Sequence, residues 1–270
     1  MNRFRQLFNK GLAVIGMVHV RGLPMTPLSR LSVQQLIEIS CKETEVYKKY
    51  KLSAICVENM FDIPYVRGKD SGPEVTAIMT RICTEVKKCV PEIPVGVQVL
   101  AGLNQEALAV AVAADLQFIR CESFVFGHIS DEGFMDGCAG PLLRYRKQLN
   151  AENVLIFTDI KKKHSSHAIT SDISISEMAK SAEFFLSDGV IVTGIRTGAS
   201  PDLKEIKQIK QANIEIPILI GSGITDLNVK EFIDLNVSAL IVGSYFKRDG
   251  IWSNELSEQR IEKLMTKINV

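Results

Sequence analysis

Residues 216–244 read IPILIGSGITDLNVKEFIDLNVSALIVGS. An apolar run of strand length, IPILIG, ends in a Gly-Ser pair. A segment with apolar side chains at helical spacing follows, and a second apolar run, SALIVG, ends in Gly-Ser again. Both runs are β-branched and lack the polar alternation of a strand with one wet face, which suits parallel strands covered on both sides. The unit is therefore strand, crossover helix, parallel strand.

The same rhythm extends back through the chain. Eight such runs occur, at 12–20, 53–60, 94–100, 116–122, 153–160, 189–194, 216–222 and 238–244. Helical patterns lie at 32–50, 72–89, 104–115, 176–188, 202–212, 226–235 and 254–268, with Ser32, Ser176 and Asp226 as expected N-caps. Strict β-then-α alternation over about 250 residues fits either a TIM barrel or an open doubly wound sheet, and eight strands favour the barrel. The expectation is an α/β protein with a single (β/α)8 TIM barrel over residues 1–270, its first 11 residues lying ahead of the first strand. In that leading segment Phe4, Leu7 and Phe8 would form a short helix covering the bottom of the barrel. Residues 124–139, rich in Gly, Asp and Phe, read as a long loop after the fourth strand.

Thirty-two basic residues against 31 acidic ones leave a net charge of +1, so no whole-chain field favours nucleic acid or an anionic membrane. Any phosphate site must be local. The six cysteines show no CxxC or zinc-type spacing, which suits a reduced intracellular protein. No apolar run approaches the roughly 18 residues of a membrane span. The cytoplasm is the expected compartment. The alternative is the mitochondrion, because Arg3, Arg5 and Lys10 precede the first acid, Glu38, as in a presequence.

Catalytic groups of such a barrel gather at the carboxyl ends of the strands. The runs end at His19, at Glu58 and Asn59, at Arg120 and Glu122, at Asp159, Lys161 and Lys163, and at Thr193. In FTDIKKKHSSH (157–167), two-residue alternation sets Asp159, Lys161 and Lys163 on one face and Ile160 and Lys162 on the other. A lysine among apolar neighbours and other cations loses proton affinity and becomes a candidate base or Schiff-base nucleophile. A solvated basic loop is the alternative. His164 and His167 suit acid–base or hydrogen-bonding work better than metal binding, since no carboxylate ligand accompanies them. Asp131, Glu132 and Asp136 in HISDEGFMDGCAG (128–140) offer acid–base pairs or oxygen ligands for magnesium, or simply turn residues. The candidate catalytic set is Glu58, Asp131, Asp159, Lys161, Lys163 and His164. No metal-ligand set and no resident cofactor are expected, with Mg²⁺ as the alternative.

IGSGIT (220–225) and VGSYFKRDG (242–250) follow the seventh and eighth strands, where this fold recurrently binds phosphate. Glycines let backbone amides approach an anion and serine hydroxyls donate to it. The candidate phosphate and substrate groups are Gly221, Ser222, Gly223, Gly243 and Ser244, with Thr193, Arg120 and His19. Tight strand-to-helix turns would demand the same small residues.

GMVHVRGLP (16–24), VENMFDIPY (57–65), DEGFMDGCAGPLLRYRKQL (131–149), IFTDIKKKHSSHAI (156–169) and VIVTGIRTGASPDL (190–203) resemble the BtpA family, and the lysine- and histidine-rich form looks like its animal branch. Met25 departs from the glycine expected there, which bears on the shape of the first loop. The resemblance implies a barrel similar to the ribulose-phosphate-binding barrels. Cyanobacterial members of the family are linked to photosystem I biogenesis, and an enteric-bacterial relative carries a nucleosidase name. No established catalytic residues carry over. The resulting expectation is an enzyme acting on a small phosphorylated metabolite, a sugar phosphate or nucleotide-like compound, by nucleosidase-type hydrolysis or by lyase or isomerase chemistry. The alternative is a non-catalytic assembly factor working through a protein partner. Exposed barrel helices would also permit a homo-oligomer.

Overall fold

The computed structural model describes residues 3–8 and 11–268; Lys10 of the leading basic segment lies outside them. In chain order the regular elements are α1 (Arg3–Leu7), β1 (Ala13–His19), α2 (Val33–Lys49), β2 (Ala54–Glu58), α3 (Pro73–Cys89), β3 (Val95–Gln98), α4 (Asn104–Ala113), β4 (Phe118–Cys121), β5 (His128–Ser130), β6 (Gly133–Met135) and α5 (Ala139–Gln148). They continue with β7 (Leu155–Ile160), β8 (Ser165–Ser166), α6 (Ile175–Phe184), β9 (Gly189–Val192), α7 (Leu203–Gln211), β10 (Ile218–Gly221), α8 (Val229–Asp234), β11 (Ala239–Val242) and α9 (Glu258–Ile268).

Eight strands close a parallel barrel in the order β1, β11, β10, β9, β7, β4, β3, β2. These are the eight apolar runs of the sequence. Two-residue alternation sends every second side chain inward. Ala13, Ile15 and Met17 of β1, Ala54 and Cys56 of β2, Phe118 of β4 and Phe157 of β7 fill the lower lumen with Ile191, Leu219 and Ile241. Gly96 must be small here, because a Cβ would lie 2.2 Å from the Phe118 ring. The expected plug is present: Phe4 and Phe8 are buried, Leu7 packs on the same cluster, and Phe4 meets Phe157 at 5.8 Å between ring centroids. The outward-facing strand residues and the helices form a second, larger core.

Several local readings change. Ser32 caps α2 in a capping box with Gln35. Ser176, however, lies inside α6, whose cap is Ser174, accepting from the Glu177 amide. α8 is capped at Asn228, and Asp226 instead accepts from the Tyr245 hydroxyl at 2.8 Å and pairs with Lys263 at 2.8 Å. Residues 124–139 are not one loop. β5 and β6 form an antiparallel hairpin, and β5 also pairs with β8, which stitches the hairpin to the lysine-rich loop. α5 then supplies the fourth crossover, from β4 to β7. Among the described residues no helix is long and apolar enough to cross a membrane.

Candidate active site

The inward alternation that fills the lower lumen with hydrocarbon ends in polar groups. One step beyond Met17, Cys56, Phe118, Phe157 and Ile191 stand His19, Glu58, Arg120, Asp159 and Thr193, all buried. Arg120 and Asp159 form a fork: Nε donates to Oδ2 at 2.8 Å and a terminal nitrogen to Oδ1 at 2.9 Å. Burial works against the guanidinium charge, and the Asp159 carboxylate more than offsets this, holding Arg120 protonated. Asp159 is thereby committed to orienting Arg120.

His19 Nδ1 lies 3.1 Å from the Trp252 carbonyl oxygen, a pure acceptor, so the proton resides on Nδ1 and Nε2 presents a lone pair. Glu58 Oε2 is 3.6 Å from that Nε2. Burial, with help from the Lys247 charge, lowers His19 to about 3, and burial raises the Glu58 carboxyl. His19 thus presents a neutral Nε2 lone pair to a carboxyl whose proton affinity burial increases.

The alternation fails just where the lysines begin. Lys161 takes a left-handed backbone with φ of 46°, and the strand ends at Ile160. Lys162 is consequently the buried lysine, its amine 3.5 Å from Glu122 Oε1, contrary to its expected place on the opposite face. Lys161 does not reach the mouth. Lys163 does, and among the described residues no carboxylate lies within ion-pair distance of its amine. Burial and then the Arg120 charge push Lys163 down from the ordinary lysine value.

Two joined cavities occupy the mouth. The smaller, about 110 Å³, is closed by Ser222, Gly223, Gly243 and Ser244, with His19, Glu58, Arg120 and Lys163 on its inner wall. Gly223 has φ of +64°, and a Cβ there would lie 2.2 Å from the Ser200 amide nitrogen. Ser244 opens a 3-10 turn, whose first amides have no partner within the turn. A Cβ on Gly243 would lie 3.1 Å from His19 Nε2, so this glycine keeps the loop close to the histidine. Gly221 and Thr193 pack on each other beneath the cavity and do not line it.

The larger chamber, about 400 Å³, is walled by Met60, Ile63, Tyr65, Leu100 and Trp252, with polar groups Glu58, Glu122, Lys162 and Lys163. Asp131 and His164 sit at its exposed rim. His164 Nε2 accepts from the Thr197 amide at 3.2 Å and lies 3.0 Å from the Thr197 hydroxyl, which ties it to the β9 loop and away from acid–base duty at that nitrogen. The cavities share Glu58, Met60, Lys163 and Thr197. Glu122 was not among the candidate groups, yet it is a hub: it accepts from Gln98 at 3.1 Å and from the Gly102 amide at 2.9 Å, and burial raises its carboxyl. Its position at a strand end was the available signal. Trp252 and Tyr65 come from loops, and no motif marked them. His167 Nε2 lies 2.9 Å from the Lys162 carbonyl oxygen. Among the described residues no three His, Cys, Asp or Glu side chains gather as a metal-ligand set. A larger cavity of about 840 Å³ opens at the opposite end, beside Phe4 and Pro217, away from the carboxyl ends of the strands.

Fold and site together define a closed (β/α)8 barrel with a polar mouth at the carboxyl ends of its strands. The geranylgeranylglyceryl phosphate synthase of Thermoplasma acidophilum, solved with sn-glycerol-1-phosphate, superposes with a TM-score of 0.62 at 12% identity, covering 98% of this chain and 96% of that one. The chain belongs to the BtpA family, whose model matches residues 10–270. An uncharacterized protein of Caenorhabditis elegans named as mitochondrial is 48% identical over 260 residues, 95% of this chain and 92% of that protein. The photosystem I biogenesis protein BtpA of Synechocystis is 31% identical over 245 residues, 91% of this chain and 84% of its own length.

Proposed function

We propose that the protein is an enzyme acting on a small phosphorylated metabolite, with the phosphoryl group under the two Gly-Ser loops and the rest of the molecule in the larger chamber. One observation carries this reading: the small polar cavity and the large apolar one meet at a shared wall that contains Glu58 and Lys163. An anion in the small cavity meets Arg120 and Lys163 on one side and Gly223, Gly243 and Ser244 backbone on the other, with the Ser222 and Ser244 hydroxyls in reach. The bond to be broken then lies at the wall. The glycerol-phosphate complex of the Thermoplasma barrel supports a phosphate ligand in such a fold.

Within this reading, nucleosidase-type hydrolysis is the favoured reaction. Tyr65 and Trp252 line the chamber with flat apolar surface suited to a heterocycle. Glu58, whose proton affinity burial raises, delivers a proton to the leaving nitrogen as the C–N bond breaks; an oxocarbenium-like centre develops beside the carboxylate that remains, and water adds to that centre and returns a proton to Glu58. The unpaired amine of Lys163 supports a second reading, in which it traps or polarises a carbonyl of a sugar phosphate. Neither requires a resident cofactor; Mg²⁺ arriving with the ligand is the alternative. The Synechocystis relative's name supports a non-catalytic assembly role, against which stands the concentration of buried charge at the mouth. The worm relative's name supports the mitochondrion over the cytoplasm.

The test is a thermal-shift screen of sugar phosphates and nucleotides, each beside its dephosphorylated counterpart, with and without Mg²⁺. A ligand specific to the folded state stabilises it by about 2.7 kcal/mol at a hundred times its dissociation constant. Stabilisation by phosphorylated members alone is expected. Equal shifts within each pair, or none at millimolar ligand, would remove the reading.

A further inference from the structure

Two thiols stand behind the chamber. Cys121 ends β4, immediately before Glu122, and is fully buried; Cys138 is the half-buried N-cap of α5. Their sulfur atoms are 3.8 Å apart. Asn104 latches the region: its Nδ2 donates to the Glu122 carbonyl at 2.7 Å and to Cys138 Sγ at 3.2 Å, and its Oδ1 accepts from the Glu122 amide at 3.1 Å. Both thiols also point at the Glu122 carbonyl, at 3.5 Å from Cys121 and 3.8 Å from Cys138.

The environments of the two sulfurs differ in the direction that thiol oxidation needs. The hydrogen bond from Cys121 holds the Cys138 thiol below its ordinary value, with burial opposing and the Asn104 amide assisting, and the start of a ten-residue helix favours a thiolate there as well. Burial pushes Cys121 far up. In a second pair of neighbours, Cys41 on α2 and Cys89 at the end of α3, burial and the hydrogen bond with Cys89 push Cys41 up to about 12.

We infer that Cys138 and Cys121 are a peroxide-oxidised thiol pair that closes to a disulfide and thereby shifts Glu122 at the chamber floor. The Cys138 thiolate attacks hydrogen peroxide; the O–O bond breaks, leaving a sulfenic acid and hydroxide. The Cys121 thiol then attacks the sulfenic sulfur, the S–O bond breaks, and water departs with the Cys121 proton. Two thiols and one peroxide become one disulfide and two waters, the hydroxide having taken the proton Cys138 lost. Closure must shorten the sulfur separation to about 2.05 Å. It removes the acceptor that Asn104 uses and draws the first turn of α5 toward β4. Glu122, which holds Lys162 and the Gly102 amide, shares that latch. The oxidation chemistry stands independently of what the mouth binds.

The experiment treats the reduced full-length protein with one equivalent of hydrogen peroxide, alkylates the remaining thiols and maps the peptides by mass spectrometry. A Cys121–Cys138 linked peptide that dithiothreitol reverses is expected, with Cys41, Cys56, Cys83 and Cys89 still alkylated. In Cys121→Ser, oxidation should stop at a sulfenic acid on Cys138 that dimedone traps; in Cys138→Ser, Cys121 should remain a thiol. Hydrogen exchange on the oxidised protein should change at Gly102 and around residues 162–164. Earlier oxidation of Cys41 and Cys89, dimedone labelling of Cys121 in Cys138→Ser, or progression of Cys138 to sulfinic acid without a link would overturn the pair. Unchanged exchange after linkage would overturn its coupling to Glu122.

Discussion

Replacing Asp159 by Asn removes one half of a buried ion pair and leaves the other in place. The Arg120 side chain is 6% exposed and that of Asp159 1%, so the guanidinium cannot turn to water when its partner is neutralised. Breaking such a pair by removing one partner costs about 3–5 kcal/mol, most of it the uncompensated charge. At roughly 2–4 °C per kcal/mol for a chain somewhat smaller than this one, the melting temperature should fall by about 6–20 °C. The double variant Arg120→Met, Asp159→Leu removes both charges and keeps apolar volume. It should return to within about 1 kcal/mol of the parent or exceed it. Urea denaturation, which leaves ionic interactions unscreened, measures the parent, the single variant and the double variant. Since Arg120 also lines the small cavity, the stable double variant should lose stabilisation by inorganic phosphate. An Asp159→Asn cost below about 1 kcal/mol, or a double variant as unstable as the single, would refute the assignment of this pair as a buried, mutually dependent unit.

Gly223→Ala should cost well over 2 kcal/mol in urea denaturation, because positive φ and a backbone contact at 2.2 Å act together. Gly198→Ala, at φ of +79° with nothing within 4 Å, should cost only about 1–2 kcal/mol. For His19 the folded value of about 3 lies below the ordinary 6.5, so between these the unfolded chain holds a proton that the folded chain does not. The stability contributed by neutral His19 is complete above pH 6.5 and is lost as pH falls toward 3. Relative to His19→Gln, the parent should lose up to about 1.4 kcal/mol per pH unit across that window. Parallel pH profiles for the two would show that His19 titrates normally.

The barrel was legible because a parallel strand covered on both faces has no alternative but to be apolar throughout. The lumen-facing polar layer was legible for the same reason: His19, Glu58, Arg120 and Asp159 each continue an inward register set by apolar residues two positions earlier. That register is a property of extended backbone, and it carries no information past the last strand residue. Lys161 adopts positive φ, so of the two lysines that alternation selects Lys161 is turned away while Lys163 still lines the mouth, and Lys162 is turned in. The hairpin and β8 strands are two or three residues long, too short for any periodicity to register. α5 carries Gly140 and Pro141 in its first turn, where proline is tolerated although both residues are poor helix formers. The cap of α8 shifted because Asp226 is drawn to Tyr245 and Lys263, partners distant in sequence. The apolar walls of the chamber, Tyr65 and Trp252, are brought together only by the closure of the barrel.

Isothermal titration calorimetry with inorganic phosphate, on the parent protein and on a Ser222→Ala, Ser244→Ala double variant, addresses the phosphate cavity with the fewest assumptions. Saturable binding of one phosphate per chain, weakened at least tenfold in the double variant while its urea midpoint is unchanged, is the expected result. Absence of binding at millimolar phosphate, or equal binding by a folded double variant, would contradict a phosphate site under the two Gly-Ser loops.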